Sequence, residues 1–577
     1  MSLKDELQKI IHGEVEDSAQ AREQVSRDAS LFRVVPEVVV RPKDAADVCS
    51  LVQWALLQKE QHPDSHISLT ARSAGTDMSG GPLNDSIIID MTAHLNNLLS
   101  VAVASSPDAP TAAVKGEKTG VAVVEPGMYF HDFDKETKKQ NFELPSYTAS
   151  RELNTVGGMA ANNSGGEKNL KYGKTARYVE EMDVVLGDGQ VHTLKRLAGD
   201  ELKTKLEEAG FEGDLYRKVA VLLTTHRDII TNATPKVEKN SSGYALWDIG
   251  DPEGKNGGEP WMNLARLMVG AQGTLGIITK IKYSLVHPKP YAAMTVLFLD
   301  NLAELGPLVP QVLMSKPDSF ESYDDNTLKL GTKYFPEFAK QMKMGIISLG
   351  FAFLPEVWMV LVGGAPKLVL LAEFRADTQA EALAAAKKLA KEIRETQPHV
   401  GVRVAKNERA ARKYWVIRRE SFNLLRQKVR GMRTAPFIDD FVVPPSTMPE
   451  FLPRLEKILD NYPHLTHTIA GHVGDGNFHI IPLVDPKDPT LRATINEVSH
   501  KVYDLVLLYG GSITGEHNDG LVRTPYVEKM FGRDMYGLFL DIKKIFDPHN
   551  IFNPGKKVGL TSAASLAKLD LPPAIKS

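Results

Sequence analysis

The stretch GHVGDGNFH, residues 471–479, sets His472 and His479 around Asp475 and Gly476, and three glycines in nine residues argue against a helix. TIAGHV and NFHIIPL read as strands, and Asp-Gly between them is a strong hairpin signal. With Asp475 and Gly476 as the loop, Gly474 pairs with Asn477, Val473 with Phe478 and His472 with His479. Directly opposed residues share a face with Cβ atoms about 4.5–5.5 Å apart, so the two imidazoles are placed to bind one ion. GGSITGEHNDG, 510–520, offers Glu516 and His517 in another glycine-flanked loop. Two imidazoles and a carboxylate with open positions suit a divalent Lewis acid, zinc foremost and manganese or iron(II) otherwise. A hydrogen-bonded histidine pair on a sheet, with Glu516 on a surface loop, fits the same spacing. His464 and His467 read as a solvated strand entry.

Two further stretches suit an anion. ARSAGTDMSGG, 71–81, follows the strand-like HISLT and packs small and hydroxyl residues beside Arg72, so backbone N–H groups can approach a phosphate closely. NTVGGMAANNSGG, 154–166, is again all small, apolar or amide-bearing. Neither has the strand–GxGxxG–helix form of a dinucleotide fingerprint, and either alone also reads as a tight turn.

The elements that must carry these loops follow from pattern. The chain has 577 residues, too many for one core, so two or more domains are expected. RPKDAADVCSLVQWALLQKE reads as a helix capped by Asp44, with Val48, Leu51, Val52, Ala55 and Leu56 on one face. HISLTA, SIIIDM, VAVVEPG and VEEMDVVLGDGQVHTL read as strands, and LMVGAQGTLGIITKIKYSLVHPKP closes a first α+β region near 290. In a second region TQAEALAAAKKLAKEIRET brings Ala382, Ala386, Leu389 and Ile393 to helical spacing, and strand, helix and strand recur around PPSTMPEFLPRLEKILDNYP. That predicts an antiparallel sheet covered by helices. The apolar stretch 345–371 is broken by Pro355, Glu356, Pro366 and Lys367, short of a membrane span. VWMVLVG and KLVLLAEF read there as a hairpin about Gly364-Ala365, with a patch dipping into a membrane surface as the alternative.

Composition narrows the partners. A net charge of −3 with acidic and basic residues interspersed gives no basic footprint for nucleic acid. One cysteine, Cys49, excludes an intrachain disulfide, an iron–sulfur cluster and a thiolate zinc site. MSLKDELQKIIHGEVEDS lacks the apolar core of a signal peptide, and a cytoplasmic setting is expected, with a peripheral location on the inner face of the membrane left open.

Taken together, ARSAGTDMSGG, VEPG, NTVGGMAANNSGG, YGKT, VGAQGTLGIIT, GHVGDGNFH, GEH and FDPHNIFNPGK resemble the flavin-dependent D-2-hydroxyacid dehydrogenases of the vanillyl-alcohol-oxidase fold, over about 35–558. That group includes D-lactate dehydrogenases, glycolate oxidase catalytic subunits and D-2-hydroxyglutarate dehydrogenases. The resemblance implies a helical extension over 1–34, a two-lobed PCMH-type FAD-binding domain over 35–290, a cap or substrate domain over 291–535 and a segment over 536–577 returning to the first. It places Arg72, Ser73, Ala74, Gly75 and Thr76 on the FAD pyrophosphate, and Thr155, Gly157, Gly158, Asn162, Gly165, Gly276, Ile277, Ile278 and Asn553 along the cofactor. No histidine lies in 71–81, where some relatives link the flavin covalently, so noncovalent FAD is expected. His472, His479 and Glu516 match metal ligands, His517 matches the general base, and Arg418 matches the arginine that grips the substrate carboxylate.

The chemistry is consistent with those residue types. A metal lowers the pKa of a substrate hydroxyl, an imidazole takes its proton, and arginine holds a carboxylate bidentately. Three departures stand out. Ala271-Gln272-Gly273 replaces SEG, Asn518-Asp519 replaces small residues after GEH, and Phe422 and Ile438 stand where hydroxyglutarate enzymes carry threonine and lysine. The last pair favours D-lactate or a bulkier apolar hydroxy acid over a dicarboxylate. A quinone, a cytochrome or an electron-transfer flavoprotein is the expected electron acceptor, and a homodimer and a membrane contact stay open. The rivals are an oxidase or alkyl-glycerone-phosphate-synthase-like enzyme of the same fold, or an electron-transfer subunit with a weakened substrate site.

Overall fold

In the computed structural model, residues 2–103, 120–255, 258–327, 366–428 and 431–571 are described, apart from the side chains of 420–428. The first sheet comprises β1 (Glu14–Glu16), β2 (Val38–Arg41), β3 (Leu69–Arg72) and β4 (Ile87–Asp90) in the order β1-β2-β4-β3. β2, β4 and β3 run parallel and β1 pairs antiparallel with β2. Parallel strands are covered on both faces, which is why VVV and III are continuous apolar runs. Helix Ala45–Gln61 supplies part of that cover, burying Val48, Leu51, Val52 and Ala55 while the Asp44 carboxylate accepts from the amides of Ala46 and Asp47. The expected N-terminal extension is only partly helical: β1 stitches it into this sheet between helices Leu3–Leu7 and Ala19–Val25.

The second lobe is antiparallel: β5 (Leu98–Val103), β6 (Gly120–Val124), β7 (Val179–Val185), β8 (Val191–Ala198), β9 (Gly250–Asp251), β10 (Trp261–Asn263) and β11 (Ile277–Leu285), ordered β5-β6-β11-β7-β8-β10-β9. Buried and partly exposed positions alternate along β6 and most of β11, as expected for a sheet with one face on a core.

The third sheet, also antiparallel, comprises β12 (Tyr291–Leu299), β13 (Ser319–Asp324), β14 (Leu368–Ala376), β15 (Gly401–Ala405), β17 (Phe441–Val442), β18 (Ile469–His472) and β19 (Asn477–Ile480), in the order β15-β12-β14-β13-β18-β19-β17. A separate pair joins β16 (Arg433–Thr434) to β20 (Leu483–Val484). Ala293, Leu297, Leu299, Leu368 and Leu370 face a core shared with helices Leu305–Met314, Gln379–Thr396 and Met448–Leu459. Met294, Val296, Val369 and Leu371 meet Tyr414, Trp415 and Ile417 of helix Glu408–Lys428 on the other face. KLVLLAEF is therefore a central strand, while VWMVLVG, the rest of 345–365 and the side chain of Phe422 lie outside the described residues. Among the described residues no helix is long and apolar enough to cross a membrane.

The chain returns to the first domain sooner than the expected 536: helix Val527–Phe546, kinked at Gly532, already packs Val527, Met535, Phe539 and Phe546 into the core of the second lobe. The tail then docks on the edge of β3, where the Leu69 amide donates to Ile551 O at 2.7 Å and the Asn553 amide to Leu69 O at 2.9 Å. The Asn553 side chain donates to Gly81 O at 2.9 Å and Gln272 O at 2.7 Å and accepts from Thr70 Oγ1 at 2.9 Å.

Asn553→Ala leaves two buried carbonyls without donors and is expected to lower unfolding stability by about 2–4 kcal/mol, measured by urea denaturation. His192 stands between Asp188 (2.9 Å) and Glu212 (3.2 Å), and these hydrogen bonds outweigh partial burial to raise its pKa from 6.5 to about 9. The stabilisation is therefore complete below about pH 6.5, falls as pH rises toward 9 and is absent above it, a loss of about 1–2 kcal/mol after solvent screening. His192→Gln should flatten the fall in urea midpoint across that window.

Candidate active site

The hairpin β18–β19 is built differently from the expectation. Its loop is a 3-10 turn, Val473–Asp475, closed by left-handed Gly476, so His472 pairs with Asn477 and His479 with Ala470. The expected His472–His479 register is thus corrected by two residues. A one-residue slip would have sent the imidazoles to opposite faces, but a two-residue slip preserves the face. The rings sit diagonally, with centroids 5.2 Å apart.

The loop bearing Glu516 and His517 is shaped by Asp440, which the sequence analysis did not single out. Asp440 Oδ2 accepts from Thr514 Oγ1 (2.6 Å) and the amides of Gly515 (3.0 Å), Glu516 (2.9 Å) and His517 (2.7 Å). Its Oδ1 accepts from Asn477 Nδ2 at 3.0 Å, which ties the loop to the hairpin. Burial pushes the Asp440 carboxyl up, but His517 and other nearby positive groups prevail and hold its pKa below normal.

Three imidazole Nε2 atoms then converge on one oxygen. His472, His479 and His517 stand 3.5, 3.2 and 3.6 Å from Glu516 Oε1. A carboxylate backs each ring: Glu321 Oε1 lies 2.6 Å from His472 Nδ1, Asp439 Oδ1 3.2 Å from His479 Nδ1, and Asp439 Oδ2 2.7 Å from His517 Nδ1. The hydrogen-bonded pairs at His472 and His479 fix the Nδ1–H tautomer and aim Nε2 at the shared oxygen, whereas His517 Nδ1 and Asp439 Oδ2 are in close ionic contact without hydrogen-bond alignment. Donors about 2.1 Å from one tetrahedral ion stand about 3.4 Å apart, which these separations match. The group whose ligand atoms all lie within 4.8 Å of one another is Asp440, His479, Glu516 and His517, so the expected ligand His472 stands outside it, while the Asp440 oxygens are filled by N–H and O–H donors that anchor the loop. Burial opposes charge on Glu516, yet Lys239 and the histidines hold its carboxyl well below the usual range. Burial likewise opposes charge on His479, yet Asp439 and Glu516 raise it to about 10.

A cavity runs from the 71–82 loop past Gly157 and Gly158 to Glu516 and His517, which form part of its wall. Of the expected cofactor residues, Arg72, Ser73, Gly75, Thr76, Gly157, Gly158, Asn162, Gly165, Gly276 and Ile278 line it. Ala74, Thr155, Ile277 and Asn553 are not in its wall. Thr155 Oγ1 caps helix Val156–Asn162 through the Gly158 amide, Ile277 packs on the opposite side of its strand from Ile278, and Asn553 clamps the loops from behind. Arg72 is folded under its own loop, with Nη2 donating to Arg27 O at 2.7 Å and Gly75 at φ +68° so close that a Cβ would stand 2.1 Å from Nη2. Its Nη1 is buried without a partner in a residue that lines the cavity, a fit for a phosphate oxygen.

The remaining expected residues divide. Arg418 is not in the cavity wall; it pairs with Glu321 Oε2 at 3.2 Å, and its buried Nε has no partner. Ile438 is fully buried in the apolar core, so the argument against a dicarboxylate drawn from it has no support. Asn518 and Asp519 turn away from the cavity: Lys557 Nζ binds Asn518 Oδ1 at 2.6 Å and Asp519 Oδ2 at 2.9 Å, and Asp519 accepts from Ser242 Oγ and the Gly243 amide. They join elements rather than weaken a site. Gln272 lines the cavity and bridges Ser79, Asn162 and the Gly520 amide. Lys174 of YGKT donates to Asn240 O and Gly515 O, both at 2.7 Å, and to Ser241 Oγ, linking the first domain to the Glu516 loop. Glu321, Asp439 and Lys239 were also missed, because only strand pairing and loop closure bring them to the histidines.

Residues 36–195 match the FAD binding domain family and 289–557 the FAD linked oxidases, C-terminal domain. The chain is 28% identical to D-2-hydroxyglutarate dehydrogenase of Pseudomonas putida over 97% of its length and 52% of that protein's. It is 24% identical to glycolate oxidase subunit GlcD of Bacillus subtilis, covering 94% and 93%, and 25% identical to D-lactate dehydrogenase of Archaeoglobus fulgidus, covering 90% and 91%. It therefore spans about half the length of the first of these curated relatives and nearly all of the other two. Solved structures share the fold: 4-ethylphenol oxidase from Gulosibacter chungangensis has a TM-score of 0.64 at 14% identity, covering 96% of each chain. An alkyldihydroxyacetonephosphate synthase has a TM-score of 0.60 at 16% identity, covering 94% of this chain and 82% of its own. With residues 36–195 matching the FAD binding domain and 289–557 the C-terminal domain of FAD linked oxidases on this two-lobed α+β fold, the chain carries the two domains of an FAD-linked oxidase.

Proposed function

We propose that this chain oxidises a D-2-hydroxy acid to the 2-oxo acid, with D-lactate as its substrate. One observation carries the reading: Glu516 and His517 of the imidazole–carboxylate cluster form part of the wall of the cavity lined by the glycine loops. Noncovalent FAD held by Arg72, Gly75, Gly157, Gly158 and Gly165 supplies the hydride acceptor when bound. A divalent ion held by His472, His479 and Glu516, zinc foremost, supplies a Lewis acid for the substrate hydroxyl. His517 differs from the other two histidines in facing the cavity, and Asp439 orients its ring from Nδ1. It serves as the base that takes the hydroxyl proton at Nε2. Arg418 is the group assigned to the substrate carboxylate, although its guanidinium stands outside the wall of this cavity, and its ion pair with Glu321 couples it to His472. Electrons leave to a separate acceptor of the quinone, cytochrome or electron-transfer-flavoprotein class.

D-2-hydroxyglutarate is the competing substrate, favoured by the Pseudomonas putida relative and no longer disfavoured by Ile438. Anaerobic titration of the purified flavoprotein with D-lactate, L-lactate, glycolate and D-2-hydroxyglutarate separates them. Full bleaching of the flavin's visible absorption by D-lactate alone is expected; bleaching by the dicarboxylate instead changes the substrate, and none by any hydroxy acid refutes the reaction.

Two substitutions separate the roles. His472→Ala should lose the divalent ion and turnover while keeping FAD, and metal retained at full stoichiometry would refute the ligand assignment. His517→Asn should lower kcat by about 10²–10⁴ with FAD retained.

A further inference from the structure

Lys239 lies in the stretch VEKNSSGY, and its side chain is completely buried. An ammonium costs several kcal/mol to bury unless it is paired, so its partners indicate what holds it there. Nζ stands 3.0 Å from Glu516 Oε2, donates to Asn477 Oδ1 at 2.8 Å and lies 4.0 Å from Asp475 Oδ2.

The two oxygens of Glu516 therefore face different partners. Oε1 meets the three Nε2 atoms at 3.2–3.6 Å, and Oε2 meets the ammonium. A carboxylate can ligate an ion through one oxygen or through both. An ammonium in ionic contact with Oε2 at 3.0 Å repels a second cation brought equally close to that oxygen.

We propose that Lys239 is a positioning residue that confines Glu516 to one-oxygen ligation of the divalent ion and so keeps a coordination position open toward the cavity. The inference rests on the reading of this cluster as a metal site. It does not depend on which hydroxy acid is the substrate.

The test compares cobalt(II) difference spectra of the flavin-loaded wild type, Lys239→Met and Lys239→Gln, with bound cobalt counted per chain. The wild type is expected to bind one cobalt with an intense visible band. Both variants should bind it undiminished, with the band weakened about threefold or more as Oε2 joins and the coordination number rises. An unchanged band, or loss of cobalt from a folded, flavin-loaded variant, overturns the proposal. Should neither variant fold, X-ray absorption of the zinc-loaded wild type decides it: a one-oxygen carboxylate supports the proposal, and a two-oxygen carboxylate overturns it. A wild type that takes up no divalent ion refutes the metal reading itself, a failure distinct from a metal-loaded enzyme indifferent to Lys239.

Discussion

The Asp440 carboxylate, buried at the entrance to β17 and collecting the amides of Gly515, Glu516 and His517, is the contact on which the site depends. Three successive N–H groups turned onto one anion force the 514–517 segment to curl, and that curl presents Glu516 and His517 on the side facing the hairpin histidines. The same carboxylate holds Asn477, which sits opposite His472 and accepts from Lys239. Strand, hairpin and loop, far apart in the chain, are thus fixed by one anion.

Charge in the cluster is arranged in layers. Innermost are the Nε2 atoms and Glu516 Oε1; behind them stand Glu321, Asp439 and Lys239, each buried and each touching an inner group. In a low-dielectric setting such pairs are strong only when complete, since a lone buried charge costs several kcal/mol. Glu321 and Asp439 Oδ1 therefore fix the tautomers of His472 and His479, while Lys239 stands in ionic contact with Glu516 Oε2. Arg418 joins the layer through Glu321, so a group bound at its guanidinium is electrostatically linked to His472.

The first domain reaches the cluster by a different device. Arg72 under Gly75, Thr155 capping its helix and Asn553 bridging Gly81 and Gln272 stiffen loops whose residues are nearly all small. Lys174 and Lys557 then tie that domain to the Glu516 loop through buried Nζ contacts. The substitutions that looked like erosion of a site, Asn518 and Asp519, are partners in this tie.

Sequence alone determined whatever depends on neighbours along the chain. Helix Ala45–Gln61 was legible because its cap and apolar spacing are local, and β3 and β4 because HISLTA and SIIIDM are apolar runs, whereas β2 and the parallel pairing were not read from sequence. The shared face of His472 and His479 was legible because strand periodicity is two, and it survived a register displaced by two residues. The tertiary structure alone decided the register, the roles of Asp439, Asp440, Glu321 and Lys239, and the burial of Ile438 and Ile277 away from the cavity. Glu321 and His472 are 151 residues apart and carry no mutual signal until β13 and β18 pair. Periodicity and motif are properties of adjacent residues, whereas the choice among distant carboxylates is made by sheet order and loop closure, which no local pattern encodes.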